Sequence, residues 1–264
     1  MLAKKSLGQH FLRSERALVA IVEAGELSSQ DTVLEIGPGQ GALTERLLAT
    51  GCHLLAVEKD DALYKLLKEK FAQEIASGQL ELINGDILDF DPSSYGLEAG
   101  SYKLIANIPY NITGAILEKF LSHQAQPSLA VLLVQDEVAK RVVARNNKES
   151  ILSLSVKAYG TPRYVDKVLA GSFAPAPEVD SAVLSISNIS KQFFTNFSEE
   201  WFFTLIKAGF KSKRKKLSSN LSSVVSKSGV EKAFNTLSLD PNTRAEDLTL
   251  TNWQRLAQQL QNAS

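Results

Sequence analysis

At 264 residues, with 44% hydrophobic and 22% charged residues, the chain has the composition of a globular protein with one full-sized domain, or one domain plus a small appendage. Lys plus Arg and Asp plus Glu balance at 29 each, so net charge indicates no nucleic-acid partner and only its distribution can. The single cysteine, Cys52, excludes a disulfide framework and fits a reducing, cytoplasmic setting, no apolar run reaches the roughly 18 residues of a membrane span, and basic Met1–Lys5 precedes no signal-peptide core.

In chain order, the apolar run Thr32–Ile36, bounded by Asp31 and Gly37, reads as a buried strand, and Ala42–Ala49 has helical spacing. His53–Val57 reads as the next strand, followed by a helix carrying Leu63, Leu66 and Leu67. Strands at Leu80–Ile83, Tyr102–Ala106 and Leu129–Val134, with helices at Ile112–Leu121 and Glu137–Arg145, continue the alternation. Such alternation predicts an α/β fold whose parallel sheet is covered on both faces. Beyond Gly160, strands at Tyr164–Ala170 and Ala182–Ile186 flank Phe173-Ala174-Pro175-Ala176-Pro177. From about Lys191 no strand signal remains. Trp201, Phe202, Leu205, Ile206, Gly209 and Phe210 repeat at helical spacing, and Thr251–Gln254 reads as a capping box opening a last helix with Trp253, Leu256, Ala257 and Leu260 on one face. The expected division is therefore 1–190 for the α/β domain and 191–264 for a small helical domain.

The turn Gly37-Pro38-Gly39-Gln40-Gly41 falls at the carboxyl end of the first strand of this alternation, where open α/β sheets bind ligands and glycine lets the backbone approach a nucleotide-like cofactor closely. Glu58 follows Gly37 by 21 positions, the usual distance for an acid that accepts from ribose hydroxyls, although an acid at a helix start would look the same. Asp86 ends the third strand and suits either an adenine amine or a turn. A nicotinamide fingerprint places its third glycine three positions after the second. Here Gly41 comes two after Gly39, a spacing more usual of S-adenosylmethionine enzymes, so a dehydrogenase is the weaker reading.

Asn107-Ile108-Pro109-Tyr110 follows a later strand. The Asn107 side-chain oxygen and the Ile108 carbonyl can accept hydrogen bonds from an amino group. Pro109 fixes its own φ and holds Ile108 extended, and the Tyr110 ring can stack on the flat system carrying the amine. Methyl transfer from a sulfonium to such a nitrogen is a displacement that needs mainly positioning and polarisation. The combination points to methylation of an exocyclic amine on a nucleobase. A plain strand-to-helix turn capped by Asn111 or Thr113 is the bland alternative.

With these motifs in place, the chain resembles the ribosomal RNA adenine dimethyltransferase family of the KsgA type over nearly its whole length. The resemblance implies a Rossmann-like S-adenosylmethionine methyltransferase sheet with a small C-terminal α-helical domain. It rests on Lys4–Leu12, Glu35–Thr44, Glu58, Gly85-Asp86-Ile87, Asn107–Tyr110, Ser172–Ala182 and Gly209–Leu217. It implies that His10 and Leu12 contact the methionine part of the cofactor, with Gly37, Gly39, Glu58, Asp86 and Asn107 completing that site; members commonly carry Asn where this chain has His10. It further implies that Phe173 stacks on the face of the target adenine opposite Tyr110. Enzymes that modify a base take it out of its stack and hold it between rings.

Between Trp201 and Val230 the chain carries Lys207, Lys211, Lys213, Arg214, Lys215, Lys216 and Lys227 and no acid, which suits a phosphate-contacting surface as well as a solvated helix face. Lys211, Lys213, Arg214, Lys215 and Lys216 are the candidates for RNA contact. The expected reaction is N6,N6-dimethylation of adenines in small-subunit ribosomal RNA by a monomer acting on the pre-30S particle, and the resemblance implies that the targets are two adjacent adenines of a hairpin. The rivals are a large-subunit adenine methyltransferase of the macrolide-resistance type and a ribosome-assembly factor with an idle site. His10, His53 and His123 are scattered without ligand spacing, so no metal site is expected.

Overall fold

The computed structural model describes residues 9–261. The chain folds into two compact units, residues 1–139 with 161–189, and residues 140–160 with 190–264.

The first unit is built on a seven-stranded sheet. Its strands are β2 (Thr32–Ile36), β3 (His53–Glu58), β4 (Leu80–Asn84), β5 (Tyr102–Asn107), β6 (Leu129–Gln135), β7 (Thr161–Val168) and β9 (Ser181–Ser187), while β1 (Phe11–Leu12) and β8 (Phe173–Ala174) form a separate antiparallel pair. The order in the large sheet is β4-β3-β2-β5-β6-β9-β7. Helices α1 (Glu15–Ala24), α2 (Ala42–Leu48), α3 (Asp61–Lys70), α4 (Ala72–Ala76) and α5 (Thr113–Ser122) belong to this unit, and α6 spans Asp136–Val142. Near-continuous Val, Leu, Ile and Ala runs in β2, β3, β5 and β6 are the pattern of strands covered on both faces. The five strands β2 to β6 pair parallel, as the alternation predicts. The wholly parallel expectation fails at one edge, where β9 runs antiparallel to both β6 and β7. Between β7 and β9 lie only a 3₁₀ turn (Ala170–Ser172) and β8, with no α-helix of the kind that usually makes a parallel crossover.

The chain moves outward from β2 through β3 to β4, then crosses back to place β5 on the other side of β2. The strand order reverses between β2 and β5, which creates a crevice at their carboxyl ends. Both the glycine turn after β2 and the Asn107 turn after β5 lie there.

The second unit is helical, with α7 (Ile151–Lys157), α8 (Glu199–Gly209), α9 (Leu217–Leu221), α10 (Lys227–Thr236) and α11 (Leu250–Gln261). The division expected at 190 is displaced by the inclusion of residues 140–160: Leu154 and Ala158 are buried in the core that also holds Phe202, Ile206, Trp253 and Leu260. Trp253 is fully buried with its indole N–H donating to the Ala245 carbonyl at 3.3 Å. Trp253, Leu256, Ala257 and Leu260 share the buried face expected of α11, but the helix starts earlier than Thr251. The Thr249 hydroxyl accepts from the Asn252 N–H at 3.3 Å, which makes Thr249 the cap.

Candidate active site

Ten of the expected site residues line one open cleft of about 250 Å³ over the switch point: His10, Leu12, Gly37, Gly39, Glu58, Asp86 and Asn107 through Tyr110. Lys4–Gly8 of the N-terminal motif lie outside the described residues.

The floor of the cleft is backbone. Gly37, Gly39 and Gly41 all adopt positive φ, and at Gly41 (φ +79°) a β-carbon would stand 2.6 Å from the Phe71 ring, so this turn into α2 needs glycine on both counts. Glu58 is 5% exposed at the end of β3. One of its carboxylate oxygens accepts the Gly39 N–H at 3.0 Å and the other the Asp60 N–H at 2.8 Å. Burial raises its pKa, and the Asp60 charge adds to the effect, against the pull of these N–H groups. The helix-start alternative for Glu58 falls to its neighbour: Asp60 is the N-cap of α3, accepting from the Ala62 N–H at 2.9 Å. Glu58 thus bridges the glycine turn and the residue that caps α3.

Asp86 takes the turn role open to it from sequence and also borders the cleft. Its Oδ1 accepts the Leu88 N–H at 3.0 Å, as in a turn, while Oδ2 meets the Lys59 ammonium at 2.5 Å on the cleft wall. The Lys59 hydrogen bond is the main cause that holds the Asp86 carboxyl below the ordinary carboxylate range.

Asn107 ends β5. Its Nδ2 donates to the His10 carbonyl at 3.2 Å, which fixes the amide so that Oδ1 remains as the acceptor end. Pro109 has φ −59° and precedes a single 3₁₀ turn, Tyr110–Ile112. The next helix, α5, has no side-chain cap, so the capping roles that the bland reading gives Asn111 and Thr113 are not realised. The Tyr110 hydroxyl and the Ser181 Oγ are 2.6 Å apart, which ties the ring to the start of β9. Burial pushes the Tyr110 phenol above its ordinary pKa. The His10 ring lies nearly parallel to that of Tyr110, at 5.9 Å and 19°.

Phe173 is the exception. It is 5% exposed and does not line the cleft. Pairing of β8 with β1 sets Leu12 opposite Phe173, and the ring packs in the core that holds Leu12, Val168 and Val183. The expected second stacking face is therefore not supplied by Phe173 in this structure.

One residue escaped the sequence reading. Glu35, in the middle of the apolar strand β2, is 1% exposed, and its Oε2 has no hydrogen-bond partner while the side chain borders the cleft. Burial pushes its pKa up to about 8; the Glu58 charge adds to this, and the nearby Thr44 hydroxyl opposes it without reaching hydrogen-bond geometry. An acid inside an otherwise apolar strand is the signal that would have found it.

The five basic candidates belong to the second unit. Lys211, Lys213, Arg214, Lys215 and Lys216 are all exposed, and none is in an ion pair among the described residues. They occupy the connection between α8 and α9, not a helix face, because α8 ends at Gly209 and α9 begins only at Leu217. Among the described residues no group of three or more His, Cys, Asp or Glu could hold a metal ion, and no helix is long and apolar enough to cross a membrane.

Residues 1–262 match the profile of the ribosomal RNA adenine dimethylase family. The chain belongs to that family. It is 42% identical over 256 residues, covering 96% of this chain and 87% of the relative, to the ribosomal RNA small subunit methyltransferase A of Dehalococcoides mccartyi. It is 38% identical, covering 96% of each chain, to the protein of the same name from Nostoc sp.. Among solved structures it is similar to a dimethyladenosine transferase from Plasmodium falciparum (26% identity, TM-score 0.81, covering 94% of this chain and 96% of that one). It is also similar to the 23S rRNA methyltransferase ErmE (25% identity, TM-score 0.75, covering 95% and 99%). The protein is thus an S-adenosylmethionine-dependent ribosomal RNA adenine dimethyltransferase with a Rossmann-like fold.

The residues present fit that cofactor. An unpartnered buried carboxyl borders the cleft at Glu35, and carboxylates stand at Glu58 and Asp86, a set of acceptors suited to a ligand that carries cationic, hydroxyl and amine groups.

Proposed function

We propose that this dimethylase acts on N6 of two adjacent adenines in a hairpin of small-subunit ribosomal RNA, as a monomer on the pre-30S particle in the cytoplasm. The observation that carries the site assignment is the Asn107–Tyr110 turn, with its amide and its ring both fixed, opening onto the same cleft as Glu58 and Asp86.

When bound, S-adenosylmethionine supplies an electrophilic methyl group on a sulfonium. Gly37 and Gly39 let the backbone approach it, Glu58 accepts from its ribose hydroxyls, and Asp86 accepts from its adenine amine. His10 and Leu12 border the methionine part. Asn107 Oδ1 and the Ile108 carbonyl accept the amino hydrogens of the target adenine, which localises electron density on a nitrogen whose lone pair is otherwise drawn into the ring. Holding that nitrogen in line with the methyl group is worth several orders of magnitude in rate without any acid or base. No general base is required, because the ammonium formed by alkylation is acidic and its proton leaves to water. Tyr110 stacks on the base, and Lys211, Lys213, Arg214, Lys215 and Lys216 contact RNA phosphates.

Incubation with labelled S-adenosylmethionine and undermethylated small or large ribosomal subunits, followed by digestion of the RNA, tests this. Dimethyladenosine in small subunits alone is expected. Label in large subunits would transfer the protein to the resistance type. Asn107→Ala is expected to abolish label while binding to subunits persists; a parent protein that binds subunits and cofactor without transferring label would be an assembly factor.

A further inference from the structure

The cations Lys211, Lys213, Arg214, Lys215 and Lys216 crowd into six positions, with no acid between Trp201 and Val230 to offset them. Like charges at such spacing repel, and an exposed loop left to itself would splay them apart. This loop is held from beneath instead. Asn220, on α9, is only 5% exposed, and its amide nitrogen donates to the Gly209 carbonyl at 2.6 Å and to the Ser212 carbonyl at 3.0 Å. Both of its amide hydrogens are thereby used. We propose that Asn220 is a positioning residue for RNA: it clamps the 210–216 loop into one shape, so that the cations are set for a phosphate backbone before RNA arrives. The proposal rests on the reading of this loop as an RNA-contacting surface.

The two ends of the loop are anchored to the helical core. At its start, a β-carbon on Gly209 would stand 2.4 Å from the Trp253 indole, and the Phe210 ring lies nearly parallel to that indole, at 20°. At its end, Leu217 is fully buried and its N–H donates to the Thr243 carbonyl at 2.8 Å. Between these anchors the Lys215 N–H donates to the Ser212 carbonyl at 3.0 Å, which closes a turn with Lys213 and Arg214 at its tip. The Ser212 carbonyl is thus shared by that turn and by Asn220, so the cations at the tip are tied directly to a buried side chain. A buried amide enforces such a geometry, because a donor left unmade in a core costs more than the bond itself returns. Holding the loop in advance raises affinity by removing the entropy of ordering it on binding. The repulsion kept in the free loop is then relieved when phosphates neutralise its charges.

Two substitutions test the clamp from its two sides. Asn220→Ala removes the donors; Ser212→Gly keeps them and every charge but loosens the backbone at the shared carbonyl. For each, the KM for undermethylated small subunits, the kcat at saturating subunits and the calorimetric Kd for S-adenosylhomocysteine are measured, with Tm followed by circular dichroism. With Asn220 as the clamp, Asn220→Ala raises the subunit KM about five- to thirtyfold, the range of one or two lost hydrogen bonds, while kcat and Kd stay within about twofold of the parent. Ser212→Gly raises the KM about two- to fivefold, and it decides alone where Asn220→Ala does not fold. A residue that only supports the helical core would change Tm and leave the KM where it is. The proposal is therefore overturned if Asn220→Ala lowers Tm with the KM at the parent value, or if Ser212→Gly leaves the KM unchanged. Failure of the underlying reading looks different: neutralising Lys213, Arg214 and Lys215 together leaves the KM for small subunits unchanged.

Discussion

Replacing Glu35 by Gln tests how an acid is tolerated inside the apolar strand β2. Glu35 is 1% exposed with an unpartnered Oε2, and its pKa is pushed up to about 8 from the ordinary 4.5 of a glutamate. The folded protein therefore binds a proton here that the unfolded chain releases above pH 4.5. Stability from this residue is complete below pH 4.5, falls as pH rises towards 8, and is level above that. Between about pH 5.5 and pH 8 the loss comes to about 3 kcal/mol, at about 1.4 kcal/mol per pH unit with the ends of the titration rounded off. Glutamine copies the protonated acid in shape and stays neutral, so the stability advantage of Glu35→Gln over the parent should be about 3 kcal/mol larger at about pH 8 than at about pH 5.5. Urea denaturation followed by tryptophan fluorescence and circular dichroism at the two pH values measures this. A cationic ligand reverses the preference, so S-adenosylmethionine should protect the parent more than the variant at about pH 8. Parallel pH dependences for parent and variant would refute the reasoning, because they would mean that Glu35 is ionised and solvated in the cleft.

Ser181→Ala removes the hydroxyl 2.6 Å from Tyr110, and losing one such hydrogen bond, worth about 1 kcal/mol, should lower kcat/KM for RNA about fivefold with the cofactor Kd unchanged. Tyr110→Phe should give a similar loss, and the double variant no more than either; additive losses would show that the two hydroxyls act separately. Gly41→Ala combines a left-handed φ of +79° with a β-carbon 2.6 Å from the Phe71 ring, so it should destabilise by about 2–5 kcal/mol and lower Tm by at least about 5 °C. An unchanged Tm would mean that the turn into α2 rearranges freely. Neutralising Lys213, Arg214 and Lys215 together should reduce the slope of log K for RNA against log salt by about 2, at about 0.7 for each phosphate no longer neutralised; an unchanged slope would remove this loop from the interface.

The strands and the two motifs of the cleft are legible in the sequence because each depends on local pattern. A strand buried on both faces writes a continuous apolar run, and a ligand-approaching turn writes its glycines beside it. What escapes such reading depends on pairing between distant segments. Thr161–Val168 and Ser181–Ser187 give strand signals, yet nothing local says that they pair with each other and run against β6. Phe173 between prolines looks like an exposed platform, and only its partnership with Leu12, some 160 residues away, turns it inward. The 140–160 segment joins the helical unit through Leu154 and Ala158, which carry no label of their own. Helix α1, with Ser14 as its cap, differs from these: its amphipathic pattern is local and legible, but it precedes the strand–helix alternation that the sequence makes prominent. His10 and Tyr110, 100 positions apart, are placed at one site only by the family resemblance, and their parallel rings only by the fold.

The balanced charge of the chain conceals two opposed local fields, each matched to one reactant. The cleft presents carboxylates at Glu58 and Asp86, acids that favour a sulfonium-bearing cofactor and would repel an RNA backbone. The stretch from Trp201 to Val230 carries Lys207, Lys211, Lys213, Arg214, Lys215, Lys216 and Lys227 and no acid as far as Val230, and its five central charges lie on a connection between helices. A chain with 29 charges of each sign can therefore hold a cation in a buried site and a polyanion on its surface, provided the two sets lie in different units. Screening acts unequally on them. Exposed lysines lose most of their attraction within a Debye length of about 8 Å at physiological salt, whereas buried carboxylates are screened much less. Added salt should thus weaken the hold on RNA while leaving cofactor binding nearly constant. Such a split follows from where the charges lie and is invisible in their sum.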